Sequence, residues 1–140
     1  MIPERLMRWG QENPGKLFLI DGAGAIVSAF LLGVVLVRFE DFLGIPLTAL
    51  YALALFPCLF GINDLYSYLN AGKNPAHLLK GIAILNTFYC FLSLGLALYH
   101  YEKLTFWGWA YILIEIMIVA SLARFEYTVA QRLRFNSGTK

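Results

Sequence analysis

Residues Thr105 to Ala123 read TFWGWAYILIEIMIVASLA, an apolar run with Glu115 one residue from its middle. At a rise of about 1.5 Å per residue it is long enough to cross a hydrocarbon core of about 30 Å. A carboxylate at the centre of a span costs roughly 2.5 to 3.5 kcal/mol on insertion scales, unless it is neutral, paired, or turned toward protein or water. Glu115 is therefore expected to face other helices, and the rest of the chain must supply them.

Three further runs do so, at Leu17 to Val37, Leu43 to Ile62 and Gly81 to Tyr99. Their connections are short: Arg38 to Gly44 reads as a tight turn, Asn70 to Pro75 as a loop, and Tyr101 to Leu104 as a second turn. Pro57 lies inside the second run, where it removes one backbone donor and favours a kink. The expected fold class is all-α: a transmembrane four-helix bundle forming one domain over residues 1–140, with spans at 17–37, 43–62, 81–99 and 105–123. Met1 to Lys16 places Ile2, Leu6 and Trp9 on one face and ends at Asn13-Pro14-Gly15, the pattern of a short N-terminal interfacial helix in the headgroup layer. Beyond Ala123, Phe125, Val129 and Leu133 recur every fourth residue, which predicts a cytoplasmic extension of the fourth helix.

Composition agrees with this. Of 140 residues 59% are hydrophobic and 14% charged, against roughly 25% charged in soluble domains. The net charge of +2 comes with no basic run interleaved with aromatics, so nucleic acid is not an expected partner. Glu4, Arg5, Arg8, Glu12 and Lys16 precede the first apolar run, so no cleavable signal is expected and the run is retained. Counting basic residues in the connections puts Arg5, Arg8, Lys16, Lys73, Lys80, Arg124, Arg132, Arg134 and Lys140 on one side, and Arg38 and Lys103 on the other. The positive-inside rule then places both termini in the cytoplasm of a multi-pass protein of the cell (inner) membrane. Cys58 and Cys90 lack Cys-x-x-Cys spacing, and their helical positions differ in depth by about 7 Å, which predicts two free, buried thiols.

The polar residues inside the spans carry whatever chemistry there is. Asp21, Ala25 and Ser28 share a face of the first span, Asn86, Cys90, Ser93 and Ala97 a face of the third, and Gly108, Tyr111 and Glu115 a face of the fourth. By position along the helices, Asp21 lies about 6 Å, Asn86 about 8 Å and Glu115 about 12 Å from the cytoplasmic edge, with Asp64 near the edge itself. Four helices thus each offer a polar group to one half of the bundle. Two carboxyls in one low-dielectric pocket cannot both be ionised at low cost, so at least one is expected to hold a proton. The candidate ligand- or proton-binding residues are Asp21, Ser28, Asp64, Asn86, Tyr89, Tyr111 and Glu115. The competing reading makes them helix-packing glue, since hydrogen bonds across membrane helices contribute about 0.6 to 2 kcal/mol each. At the opposite surface Glu40, Asp41, His100 and Glu102 come from the two tight turns, the residue types of a weak metal site. No resident metal or cofactor is expected, and Cys90 has no neighbouring base to make it a nucleophile.

Sliding the first hairpin by 62 positions sets Leu32, Gly33, Leu36 and Glu40 on Leu94, Gly95, Leu98 and Glu102, and sets Asp64 on Glu126. This is the pattern of two similarly oriented hairpins related by an axis along the membrane normal.

The overall layout, with Asp21-Gly22-x-Gly24-Ala25-x-x-Ser28 early in the first span, resembles the short four-span bacterial membrane proteins of unassigned function. That resemblance implies a four-span bundle and no particular activity. Three functions fit: a small transport or ligand- and proton-binding bundle, with the lipid bilayer and further copies as partners; an accessory subunit bound to a partner membrane protein; and an intramembrane enzyme.

Overall fold

The structure, a computed structural model, describes residues 2–139. Met1 of the expected interfacial helix and Lys140 of the basic side lie outside the described residues. The elements are all helical: α1 (Glu4–Glu12), α2 (Pro14–Phe30), α3 (Glu40–Leu43), α4 (Leu47–Leu69), α5 (Pro75–Tyr99) and α6 (Phe106–Gly138). A π-helical turn, Leu31–Val35, and a 3-10 turn, Leu36–Phe39, join α2 to α3 without a break. Four helices, Pro14–Leu43, Leu47–Leu69, Pro75–Tyr99 and Phe106–Gly138, are thus long and apolar enough to cross a membrane.

The helices outrun the apolar runs that announce them. Arg38 to Phe42, expected as a turn, are helical, because backbone pairing continues through the polar residues to Gly44. The reversal falls at Gly44, whose φ of 69° is the left-handed conformation that glycine adopts without strain. Pro46 then precedes α4, and the Glu40 carboxylate accepts a hydrogen bond from the Leu47 amide at 3.2 Å. α5 starts at Pro75, a residue suited to a first helical turn, ahead of the apolar run that begins at Gly81, with the Asn74 side chain accepting from the His77 amide at 3.3 Å. Pro57 is accommodated inside α4.

The distribution of side chains is inverted relative to a water-soluble bundle. Ile26, Phe91 and Met117 are 69%, 71% and 70% exposed, whereas Asp64, Ser93 and Glu126 are 1%, 0% and 0% exposed. Contiguous apolar surface of that extent is not left facing water, and this distribution on four long apolar helices is compatible with a multi-pass membrane protein. Cys58 and Cys90 are free, as expected, but Cys58 is exposed on the outer face of α4 and only Cys90 is partly buried. The thiol reading took both as buried because helical depth says nothing about which way a side chain faces the bundle.

α2 packs on α4 and α5 on α6 as two antiparallel hairpins, and the hairpins meet through α4 and α5. α2 and α6 are tied together chiefly toward their ends. At the turn end, the Thr105 amide donates to the Leu43 carbonyl at 3.0 Å, and Thr105 Oγ1 lies 2.7 Å from the Phe42 carbonyl oxygen. At the other end α1 bridges the two: Met7 is buried with Leu17, Phe18, Leu79, Ile82, Val129 and Ala130 in an apolar core. Between these ties α2 and α6 flank a groove.

Candidate functional site

Two polar groups occupy the bundle interior, and the expected residues divide between them. In the first, Asn86 Nδ2 lies 3.1 Å from both Asp21 carboxyl oxygens and 3.3 Å from Glu126 Oε2. Asp64 is a neighbour of Asp21 in the interior. Each long helix contributes one member: Asp21 from α2, Asp64 from α4, Asn86 from α5 and Glu126 from α6, exposed by 5%, 1%, 5% and 0%. Both Asp64 oxygens and Glu126 Oε1 have no protein hydrogen-bond donor. No cation offsets the three carboxyls; among the described residues the one ion pair joins Arg132 to Glu4, both exposed.

The second group is centred on Glu115. The Tyr89 hydroxyl donates to Glu115 Oε1 at 3.2 Å. Ser28 from α2 and Tyr111 from one turn earlier on α6 are directed at the same carboxyl, yet Oε2 is left without a partner. Glu115 is 7% exposed, so the bundle shelters it, as the cost of a mid-span carboxylate requires.

Glu115 does not join the Asp21, Asp64 and Asn86 group. Eleven residues separate it from Glu126 along α6, a rise of about 16 Å. The fourth member is instead Glu126, which the sequence reading leaves in the extension beyond Ala123. A hydropathy window ends there, because Arg124 and Glu126 dilute it, although the helix continues against α5 and α1. The 62-residue offset that sets Asp64 on Glu126 is the signal that points to it.

A cavity of about 500 Å³ connects the two groups. It opens between α2 and α6, and Asp21, Ser28, Asn86, Tyr89, Tyr111 and Glu115 line it together with Val27, Leu31, Phe60, Ile114 and Ile118. Asp64 and Glu126 lie behind Asp21 and Asn86 and do not line it. The π-helical turn beginning at Leu31 sits at the groove wall, one turn from Ser28; such turns insert an extra residue and shift the register of the side chains that follow.

No family model, curated protein or solved structure matches this chain.

Chemistry must therefore be judged from the groups themselves. Three carboxyls around one amide cannot all carry negative charge in a buried, cation-free site, because the repulsion and desolvation costs add. Such a set holds protons or accepts a cation. It lacks metal geometry: among the described residues no three His, Cys, Asp or Glu side chains are grouped to hold a metal ion. Glu40, Asp41, His100 and Glu102 are thus not gathered as a site. Glu40 is engaged with the Leu47 amide, and Glu102 accepts from the adjacent Tyr101 hydroxyl at 3.1 Å.

Proposed function

We propose that this chain is a ligand- and proton-binding bundle of transport type, spanning the cell (inner) membrane of a bacterium. One observation carries the reading: three buried carboxyls, Asp21, Asp64 and Glu126, gather around Asn86 with no cation among them, and the cavity beside Asp21 also reaches Glu115. Polar groups kept as glue pair off until satisfied; here several carboxyl oxygens remain without donors, and one of them, Glu115 Oε2, belongs to a residue lining an open groove. Protons supply the missing hydrogen bonds, one carboxyl donating to the next.

The excess of basic residues near α1, the 70–75 loop and the end of α6 supports a cytoplasmic location for that face. α1, with Met7 and Gly10 buried against the bundle and Leu6 half exposed, then lies at the cytoplasmic headgroup layer. A single bundle this small encloses little, which favours a homo-oligomer as the working unit. The accessory-subunit reading draws on Gly24, whose face opens on the groove with no neighbour close by.

Infrared spectroscopy of the full chain in lipid nanodiscs tests the proposal. Buried protonated carboxyls give C=O bands distinct from those of solvated acids, and these are expected in the wild type. The bands should shrink in Asp64→Asn and in Glu126→Gln. A spectrum without buried COOH bands at neutral pH removes the proton-binding reading and leaves the glue reading in place.

A further inference from the structure

The groove between α2 and α6 combines features that select a ligand class. Its walls are hydrocarbon, from Val27, Leu31, Ile114 and Ile118, and three aromatic rings, Phe60, Tyr89 and Tyr111, face it. Its charged lining is acidic only: Asp21 and Glu115 contribute, and no Lys, Arg or His does. Glu115 is more than nine-tenths buried, with Oε1 held by Tyr89 and Oε2 without a donor. A buried oxygen without a partner costs about 1 to 3 kcal/mol, as an acceptor lacking a donor or, when it carries the carboxyl proton, as a hydroxyl lacking an acceptor.

We propose that this groove binds an amphipathic ammonium ion, an apolar or aromatic body bearing one N–H cation, with the N–H donated to Glu115 Oε2. This rests on the ligand-binding reading above and names its substrate class. The body of the ligand replaces lipid against the walls, and the cation meets both the carboxylate and the aromatic faces, each favourable where water is excluded. The cavity of about 500 Å³ falls within the range of roughly 300 to 1,000 Å³ typical of small-molecule sites. A helix about 10 Å across running the length of the groove would need several times that volume. A lipid acyl chain would cover the walls but leave Oε2 without a donor. The exchange balances in protons: Glu115 holds its own proton while the groove is empty, and releases it to water as the ammonium arrives. The ion pair that forms is neutral overall. The lateral opening lets the apolar body enter from the bilayer.

The test uses the purified full chain in nanodiscs with two fluorescent probes, naphthylethylammonium and the neutral hydrocarbon ethylnaphthalene. Saturable binding is expected for the ammonium, with one proton released per ion bound. Glu115→Gln, which keeps an acceptor for Tyr89, should weaken the ammonium about tenfold or more, the loss of a hydrogen bond to a charged group, while the hydrocarbon, which has no polar group to meet Glu115, serves as the reference. Gly24→Leu, at a position where an added Cβ meets nothing within 4 Å, should fill the groove and weaken both probes while the protein stays folded. Equal affinity for the two probes in the wild type, or ammonium binding indifferent to Glu115→Gln, overturns the proposal. So does a groove already closed by a second copy, seen as Gly24→Cys cross-links between chains with both probes excluded. Buried COOH bands without saturable ammonium binding sink this inference alone; their absence sinks the proton-binding reading first.

Discussion

Asn86 and Asp21 face each other across the bundle, the amide nitrogen of one 3.1 Å from each carboxyl oxygen of the other. Sixty-five residues separate them in sequence. The Asn86 amide also reaches Glu126, so a single NH₂ group donates to both Asp21 and Glu126.

Replacing that donor should be costly. Asn86→Leu leaves Asp21 and Glu126 against apolar surface, and a loss of about 1 to 3 kcal/mol is expected, read as a lower unfolding midpoint by circular dichroism in detergent. Asn86→Gln keeps the amide and should lose less. An unchanged midpoint in Asn86→Leu would show that the amide does not hold the carboxyls together.

The carboxyls themselves should behave oppositely. Asp64 and Glu126 carry oxygens with no donor, so Asp64→Asn and Glu126→Gln, which add one, are expected to unfold at or above the wild-type midpoint. Function, not stability, then explains the acids, since strained polar sites are retained where activity needs them. A fall of about 2 kcal/mol or more in either variant would instead identify them as structural glue, within the range for breaking a buried polar network.

Gly108 is expected to be intolerant of any side chain. A Cβ there would run into the Leu43 carbonyl, and one at Gly44 into the Lys103 carbonyl, so the two turns are in direct backbone contact. Gly108→Ala should lower stability by about 1 to 3 kcal/mol, the scale of overpacking. Thr105→Val should cost about 1 kcal/mol, because Thr105 Oγ1 also accepts from the Gly108 amide at 3.3 Å as a helix cap. Thermal unfolding of both variants measures this, and full tolerance at Gly108 would contradict the close approach.

α1 should be held by packing rather than by charge. A Cβ on Gly10 would come within 2.9 Å of Val129 Cγ2, so Gly10→Leu should lift the helix, seen as faster amide hydrogen exchange over residues 4–12. The Arg132 guanidinium, through its hydrogen bonds and then its charge, holds the Glu4 carboxyl below the usual carboxylate range. Whatever the pair contributes is therefore present above that usual range and lost as pH falls through the lowered value. Both partners are exposed, 42% for Arg132 and 76% for Glu4, so water screens them and Glu4→Gln should leave exchange in α1 near wild type. Strong deprotection by Glu4→Gln, with none by Gly10→Leu, would reverse the assignment.

Particular residues show how far the chain could be read unaided. Glu115 was legible as a buried group because its cost in lipid is set by its place within a predominantly apolar run of nineteen residues. Asp21 and Asn86 were legible as inward-facing because small or polar residues recur beside them at helical spacing. Glu126 was missed because hydropathy averages over a window and ends a span where charge begins, whereas backbone hydrogen bonding carries α6 on to Gly138. The outward direction of Cys58 was missed because apolar residues surround α4 on every side, so periodicity has no face to select.

The amino-acid order alone determined an all-helical chain with four apolar runs of membrane length, separated by short polar connections, since those properties depend only on local hydropathy and turn chemistry. Which helices touch, and which polar groups meet, was decided only in three dimensions. A helix's rotation and its neighbour's level depend on packing among elements distant in sequence as well as adjacent ones, as the 65-residue separation of Asp21 and Asn86 shows. For that reason the grouping of Asp21, Asp64, Asn86 and Glu126, and the separate groove that presents Glu115, belong to the tertiary structure.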